Sequence, residues 1–330
     1  MIFVIASGFL YALIPITLLA ILWYRVSHRL VINNVGNRAV LITGCDSGFG
    51  NLLAKRLCKN GLLVFAGCYT RAGKEALQAE FSNIHGIELD ITSEQSVAMA
   101  HQYVVSQVGA SGLWALVNNA GIGTKGGYAL WSDFRDYEVV AEVNYFGQIR
   151  MVYQFFPQIL SAKGRIIQMC SALAYNALPG AAPYNASKFA IRGFAESIRN
   201  EFRPFGIEVI TVCPGFHPTP LCNIQKIMDG YDERWRNLPL EIKKLYPPKW
   251  LADEQLSIAK GIETLTKHNH VDDVVEAYVH AIIGKYPQAN YWVGKDSKYL
   301  HIPLTYLPEG LKSLISSRNN IYSWNCPSPK

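Results

Sequence analysis

The sequence predicts an α/β fold, a doubly wound parallel sheet in a single domain. Short apolar segments typical of buried strands alternate with longer segments of helical periodicity, and this alternation favours parallel strands joined by crossover helices. The strand-like segments are residues 39–42, 62–68, 113–117, 165–170 and 208–213. Roughly 300 residues follow an apolar N-terminal segment, without internal repeats or low-complexity tracts, which is enough for one large core. We assign residues 38–296 to this domain.

The first strand leads into a glycine-rich turn. Residues 43–50 read Thr43-Gly44-Cys45-Asp46-Ser47-Gly48-Phe49-Gly50, and a helical pattern follows from Leu52. Glycines let the backbone approach a pyrophosphate closely, and a helix N-terminus offers free N–H groups and the positive end of its dipole. The spacing differs from the usual dinucleotide fingerprint, so an ordinary turn is the alternative interpretation.

A second motif suits metal-free carbonyl–alcohol chemistry. Tyr184 and Lys188 lie four residues apart, so on a helix both side chains share one face, and Ser171 ends an apolar segment upstream. A phenol is a weak base at neutral pH, but a neighbouring cation favours the phenolate. We therefore expect Tyr184 to exchange a proton with a substrate hydroxyl whose oxygen is held by Ser171.

Other polar or glycine-containing motifs also follow predicted strands. The segment at 113–117 ends in Asn118-Asn119-Ala120-Gly121, and the segment at 208–213 ends in Pro214-Gly215. Ligands of open parallel sheets bind outside the carboxyl ends of the strands. All of these motifs are therefore expected to meet at one edge of the sheet.

This combination resembles the short-chain dehydrogenase/reductase family, over nearly all of the chain after the N-terminal segment. The turn at 43–50 and the stretch 112–121 are most similar to the branch that holds retinol dehydrogenases, hydroxysteroid dehydrogenases and hydroxybutyrate dehydrogenase. Residues 304–308 and 322–329 resemble the retinol dehydrogenases. The resemblance implies a Rossmann-like fold and a nicotinamide cofactor.

The resemblance also implies roles for individual residues. Tyr184 would be the general acid/base, and Ser171 would orient the substrate oxygen. Lys188 would bind the nicotinamide ribose and lower the pKa of the tyrosine, while Asn144 would hold a water that links Lys188 to solvent. Asp90 would contact the adenine. Cofactor contacts would also come from Thr43, Gly44, Asp46, Ser47, Gly48, Phe49, Gly50, Asn118, Ala120, Gly121, Tyr184, Lys188, Pro214, Gly215 and Thr219, the last at the carboxamide.

Each residue taken alone has a structural interpretation. Ser171 could cap a strand end, and Tyr184 with Lys188 could be an exposed helical pair. Asn144 could be a solvated or capping asparagine, and Asp90 could simply precede a helix that begins near Thr92 or Ser93. Their joint occurrence in the expected order favours an active enzyme.

The choice between NAD and NADP depends on the end of the second strand. An acidic residue about 20 positions past the glycines would bind the ribose 2′-hydroxyl, but here the chain reads Cys68-Tyr69-Thr70-Arg71. Arg71 could meet a 2′-phosphate, whereas Asp46 in the glycine turn would repel it. We predict NAD rather than NADP.

The N-terminus predicts a membrane anchor. Residues 1–24 carry no charged side chain and are long enough to span a bilayer as a helix, with Trp23 and Tyr24 at its end. A cleaved signal peptide is the alternative, but a basic n-region and a small-residue cleavage site are missing. Residues 25–37 form the predicted linker, and the basic residues after the anchor favour a cytosolic catalytic domain at the endoplasmic reticulum membrane.

Cysteine usage and a sequon agree with a cytosolic domain. The seven cysteines are an odd set without metal-ligand spacing, so no metal site is predicted. The sequon at Asn185 lies inside the predicted catalytic helix, where a glycan would block folding or access. The positive charges, net +6, are scattered rather than gathered in a stripe, which argues against nucleic-acid binding.

Substrate choice is assigned to residues 216–261, a predicted lid rich in apolar and aromatic side chains. Residues 297–330 form an apolar tail that either leans on the bilayer or packs on the core. These features favour a lipophilic alcohol, retinol-like or a hydroxysteroid. A short hydroxy acid, as for hydroxybutyrate dehydrogenase, and a non-enzymatic cofactor-sensing scaffold are the alternatives. The helices around Asn144 and Tyr184 could pair two subunits in a homodimer.

Overall fold

The computed structural model describes residues 15, 17–19, 22–23 and 25–312, and its centre is a seven-stranded parallel sheet. The strands lie in the order β3-β2-β1-β4-β5-β6-β7, so the chain winds outward from β1 in one direction and then from β4 in the other. They are β1 (Ala39–Thr43), β2 (Leu63–Cys68), β3 (His85–Glu88), β4 (Ala115–Asn118), β5 (Arg165–Met169), β6 (Glu208–Pro214) and β7 (Asn290–Val293). The predicted α/β class, parallel topology and five of the strands are thereby confirmed.

Helices cover both faces of the sheet. Within the described residues they are α1 (Gly48–Lys59), α2 (Arg71–Glu80), α3 (Glu94–Val108), α4 (Phe134–Ala141), α5 (Gln148–Ala162), α6 (Ala182–Phe202), α7 (Ile224–Asn237), α8 (Leu240–Lys243), α9 (Trp250–Thr266), α10 (Val271–Ile283) and α11 (Ile302–Thr305). Buried side chains of α1 and α10 belong to one core cluster, and those of α3, α5 and α6 belong to another.

Strand β1 shows how the sequence produces this double layer. Its five residues are all buried, and side chains alternate between the faces of a strand. Val40 and Ile42 accordingly pack in the cluster with α1 and α10, whereas Ala39 and Leu41 pack in the cluster with α3 and α5. A strand covered on both faces must be apolar at every position, which is why residues 39–42 lack alternation.

A third apolar cluster joins α7, α8 and α9 above the carboxyl edge of the sheet. Its buried members include Tyr231, Leu238, Trp250 and Ile258, and Trp131 from the segment after β4 completes it. This cluster falls within the region 216–261 that we predicted as a lid, apart from Tyr128, Trp131 and Ile262.

No helix within residues 15, 17–19, 22–23 and 25–312 is long and apolar enough to cross a bilayer. Most of the predicted anchor, residues 1–24, lies outside the described residues, as does the tail from residue 313 onward, including 322–329.

Candidate active site

The predicted catalytic side chains meet at the carboxyl edge of the sheet. Ser171 lies two residues after the end of β5 and begins a short 3-10 turn, accepting a hydrogen bond from the backbone N–H of Leu173 at 3.0 Å. Helix α6 carries Tyr184 and Lys188 in its first two turns. The Ser171 hydroxyl lies close enough to the Tyr184 phenol to lower the pKa of that phenol. Ser171 therefore caps the strand end and also reaches the phenol.

Lys188 lies below the phenol and out of solvent. Its Nζ donates to the backbone carbonyl of Met169 at 3.0 Å and lies 5.5 Å from the Tyr184 ring centroid. Only 2% of the Lys188 surface is exposed. The alternative of an exposed helical pair is therefore wrong. Burial lowers the pKa of Lys188 from 10.5 to about 8, because desolvation disfavours the charged amine.

The expected lowering of the Tyr184 pKa does not appear in this geometry. Burial raises the pKa of Tyr184 above its ordinary value, and the hydrogen bond from Ser171 opposes that rise only in part. The reason is that removing the phenol from water disfavours its charged form. At neutral pH the phenol is therefore protonated and poised to donate.

Asn144 is buried in a π-helical turn, Glu142–Gly147, between α4 and α5. Its Oδ1 accepts from the Ile122 N–H at 2.8 Å, and its Nδ2 donates to the Ile122 carbonyl at 2.9 Å and to Ser187 Oγ at 3.1 Å. A Cβ placed on Gly121 would lie 3.2 Å from Asn144 Oδ1 and 3.6 Å from Lys188 Nζ. Asn144 is thus beside Lys188 and is not a solvated or capping residue. Ser187 was not identified from the sequence.

The glycine turn fits tightly against the end of β4. Gly44 has φ +71°, and a Cβ there would approach the Ala120 Cα to 2.7 Å. A Cβ on Gly50 would meet the Gly44 carbonyl oxygen and Asn119 Nδ2, each at 2.5 Å. Thr43 Oγ1 accepts from the N–H groups of Asn119 and Ala120 at 3.1 and 3.0 Å. These contacts fix the turn against the end of β4.

Asn119 is the main residue of this cradle that sequence reasoning did not assign. Its Nδ2 donates to the carbonyls of Thr43 and Gly44 at 2.9 and 3.1 Å. Its position beside Asn118 in the quoted motif was the available signal. Asn118 itself is buried and donates to the Gln148 carbonyl at 3.0 Å, so its side chain braces α5 against β4.

The cradle has the features that a dinucleotide pyrophosphate requires. Ser47 precedes α1 without a side-chain cap, so the first N–H groups of the helix are available to a ligand. Gly48 has φ +63°, and a Cβ there would meet nothing within 4 Å. Phe49 follows on the first turn of the helix and packs edge-on against His217 with 5.6 Å between ring centroids.

Asp46 reaches from the glycine turn to the end of β2. Its carboxylate accepts from the Tyr69 N–H at 2.7 Å, the Thr70 N–H at 2.9 Å and the Thr70 hydroxyl at 2.6 Å. Arg71 instead bonds Glu75 at 2.7 Å on the exposed side of α2. The negative group at the end of β2 is therefore supplied by the turn, 23 and 24 residues earlier in the chain.

Asp90 and Thr219 lie at two further corners of the edge. Asp90 Oδ1 accepts from the Thr92 N–H and hydroxyl at 2.9 and 2.7 Å, in the turn before α3, which Ser93 caps. Thr219 begins a 3-10 turn after β6, and its N–H donates to the His217 carbonyl at 2.8 Å. Asp90 serves as a local turn residue here, and the cofactor contacts expected of Asp90 and Thr219 stay predictions.

A buried carboxylate beneath Pro214-Gly215 was not found from the sequence. Asp296 accepts from the Phe216 N–H and from Asn269 Nδ2, each at 2.7 Å, and lies 3.8 Å from the buried His301 Nε2. A Cβ on Gly215 would approach the Asp296 carboxylate to 2.1 Å. Gly215 is therefore needed for close packing. The partners are far apart in sequence, so no local pattern announces them.

Ser171 and Tyr184 line a cleft of about 1040 Å³, its open mouth included. The other walls come from the segment between Ser171 and Tyr184, from the glycine-containing segment after β4, from α7 and α9, and from Gly215, Phe216, Leu221 and Cys222. Polar side chains on these walls are limited to hydroxyls and one thiol: Thr124, Ser171, Tyr184, Cys222 and Tyr231. Among the described residues that line the cleft, none carries a charged side chain.

The chain is similar to proteins of one known family. Residues 38–227 match the family model described as short chain dehydrogenase. The chain is 36% identical over 308 residues to the 17-beta-hydroxysteroid dehydrogenase type 6 of Bos taurus, covering 93% of this chain and 94% of that protein. It is 33% identical over 291 residues to retinol dehydrogenase 7 of Rattus norvegicus, covering 87% and 90%.

Solved structures of other dehydrogenases and reductases have a similar fold. A short chain dehydrogenase from Burkholderia cenocepacia in complex with NADP is similar with a TM-score of 0.63 and 27% identity, over 84% of this chain and 97% of that one. A 3-ketoacyl-(acyl-carrier-protein) reductase from Brucella melitensis complexed with NADH gives a TM-score of 0.61 and 25% identity, over 78% and 96%. The chain therefore belongs to the short-chain dehydrogenase family and is an oxidoreductase of that family.

Proposed function

We propose that this protein interconverts a lipophilic alcohol, retinol-like or a hydroxysteroid, and its carbonyl compound, with a nicotinamide cofactor. The observation that carries the proposal is the cleft, where the hydroxyls of Ser171 and Tyr184 open onto walls without charged side chains. An apolar substrate is stabilised there by burial, while its single reacting oxygen finds two hydrogen-bonding groups. The relatives named for hydroxysteroid and retinol dehydrogenation support this substrate class.

The roles of the residues follow from their positions. The nicotinamide, when bound, supplies hydride transfer to or from the substrate carbon. Ser171 orients the substrate oxygen, and Tyr184 donates its proton to that oxygen in the reduction direction or receives it in oxidation. Lys188 holds positive charge beneath the phenol, and Asn144 fixes the loop at Ile122 that borders it.

A hydroxy acid is a less suitable substrate. Its carboxylate would enter the cleft without a cation to pair with, and an unpaired buried charge is costly. The hydroxybutyrate-type alternative therefore lacks the feature it requires, within the described walls of the cleft.

NAD rather than NADP is the proposed cofactor. The Asp46 carboxylate lies where the second strand ends, against the backbone of Tyr69 and Thr70, and would repel a 2′-phosphate there. The pairing of Arg71 with Glu75 directs the Arg71 guanidinium along α2.

The proposed function is tested with a panel of retinoids, hydroxysteroids and short hydroxy acids, reading cofactor reduction by detergent-solubilised protein. We expect the lipophilic alcohols to be oxidised and Tyr184→Phe to lower kcat by about 10²–10⁴-fold, the range for a general acid/base. Tyr175→Phe is the matched control, because Tyr175 stacks under Arg192 at 3.8 Å and does not line the cleft. A Tyr184→Phe protein as fast as the parent would contradict the mechanism.

Membrane attachment and orientation are part of the same proposal. Residues 1–24 would anchor the protein in the endoplasmic reticulum membrane, and the basic residues after them favour a catalytic domain on the cytosolic side. Protease treatment of intact microsomes tests this, and a protected catalytic domain would refute it. A homodimer is proposed from exposed apolar side chains on α6 and the adjoining helices, Phe146, Tyr153 and Phe189.

A further inference from the structure

The tip of the lid has an exposed apolar and basic surface. We define the lid tip as residues 236–249, which contain the end of α7, helix α8 and the turn before α9. Its inward side chains, Leu238, Ile242 and Tyr246, pack in the lid cluster with Trp250. Leu240 and Leu245 instead are 72% and 60% exposed. Packing inside the fold therefore does not explain why these two positions are leucine.

Cations surround the two leucines. The lid tip contains Arg236, Lys243, Lys244 and Lys249, against one carboxylate, Glu241. Lys243 donates to the Arg236 carbonyl at 3.0 Å. For Arg236, Lys244 and Lys249, no ion pair is formed with any other described residue. Their charge is therefore available to a partner.

We propose that the lid tip docks on an anionic phospholipid surface, inserting Leu240 and Leu245 between headgroups. Apolar side chains flanked by unpaired cations are typical of a surface that lies in a bilayer interface. Each cation near an anionic surface strengthens such binding on the order of five-fold. A second copy of the chain is a poorer partner, because two lid tips face to face would place like charges together.

Docking there would place lipid beside the substrate cleft. Helices α7 and α9, which flank the lid tip, supply cleft walls through Ile227, Tyr231, Ile258 and Ile262. A lipophilic alcohol dissolved in the bilayer would then enter without crossing water. This inference rests on the proposed function for its substrate, but the docking itself is measured independently of turnover.

The test uses the full chain in vesicles of phosphatidylcholine, with and without phosphatidylserine. Hydrogen exchange of the backbone amides of residues 236–249 is read by mass spectrometry. We expect slower exchange with phosphatidylserine and not without it, and loss of that protection in Leu240→Glu/Leu245→Glu and in Lys244→Glu/Lys249→Glu. Met99→Glu is the matched control, because Met99 is 57% exposed on α3 and does not line the cleft.

Kinetics on the same proteins give the second readout. In phosphatidylserine vesicles, the leucine variant should raise the KM for a bilayer-dissolved alcohol at least about five-fold and leave kcat and the KM for a short water-soluble alcohol unchanged. Exchange that does not respond to phosphatidylserine, or that slows without lipid as protein concentration rises, overturns the docking. If neither alcohol is oxidised while exchange still responds, the proposed function fails and the docking stands.

Discussion

Replacing Lys188 by methionine should remove activity and yet stabilise the apo fold at neutral pH. Burial lowers the pKa of Lys188 from 10.5 to about 8. At 1.36 kcal/mol per pKa unit, the charged amine costs the folded state about 3 kcal/mol at pH 7. Methionine has a similar length and no charge, but it leaves the Met169 carbonyl without its donor, a loss of about 1 kcal/mol. Lys188→Met should therefore gain about 2 kcal/mol in free energy of unfolding at pH 7.

The pH dependence distinguishes this cause from better packing. Between the folded and unfolded pKa values the unfolded chain binds more protons, so the stability of the parent rises with pH. The variant lacks this titration, and its advantage should shrink by about 2 kcal/mol from pH 7 to pH 9.5. Urea unfolding of both apo proteins at the two pH values measures it. A variant that is less stable at pH 7, with a difference independent of pH, would refute the reasoning.

The remaining predictions concern the cofactor cradle. Gly50→Ala should destabilise the fold by about 1–3 kcal/mol and weaken cofactor binding, since its Cβ would lie 2.5 Å from the Gly44 carbonyl oxygen. Thermal unfolding and cofactor titration measure the two effects, with Gly36→Ala as the control because a Cβ there has its nearest contact at 3.7 Å. If both variants behaved alike, the packing argument would be contradicted. Asp46→Asn should shift the ratio of NADP to NAD affinity about ten-fold toward NADP by removing a negative charge, read by titration with 2′-AMP and 5′-AMP, while Arg71→Gln should change little. A strong NADP preference in the parent would contradict the proposal.

Local patterns in the chain were sufficient for the architecture. Strand β1 had to be apolar at every position because both faces of the sheet are covered, and the turn at 43–50 had to be rich in glycine because its backbone approaches Ala120 and Asn119. The spacing of Tyr184 and Lys188 placed both on one face of α6. Ser171, at a strand end, was expected beside them, and its hydroxyl lies close enough to the phenol to lower the pKa of Tyr184.

Hydrogen bonds between segments far apart in the chain could not be predicted from local patterns. Asn119 bonds the carbonyls of β1 and its turn from 75 and 76 residues away, and Ser187 bonds Asn144 across 43 residues. Asp296 reaches Phe216 across 80 residues. The periodicity of the sequence does not predict such pairings, because they depend on which ends of the strands lie close together in the sheet.

The amino-acid order alone thus dictated a doubly wound sheet and the residues gathered at its carboxyl edge, since strand burial, turns and helical spacing act over a few neighbours. The pKa values of Tyr184 and Lys188 at that edge depend instead on packing in three dimensions. Proximity in the chain suggested an ammonium that would acidify the phenol, but desolvation acts on both groups, raising the pKa of Tyr184 and lowering that of Lys188. How deeply each side chain is buried depends on every element packed around it.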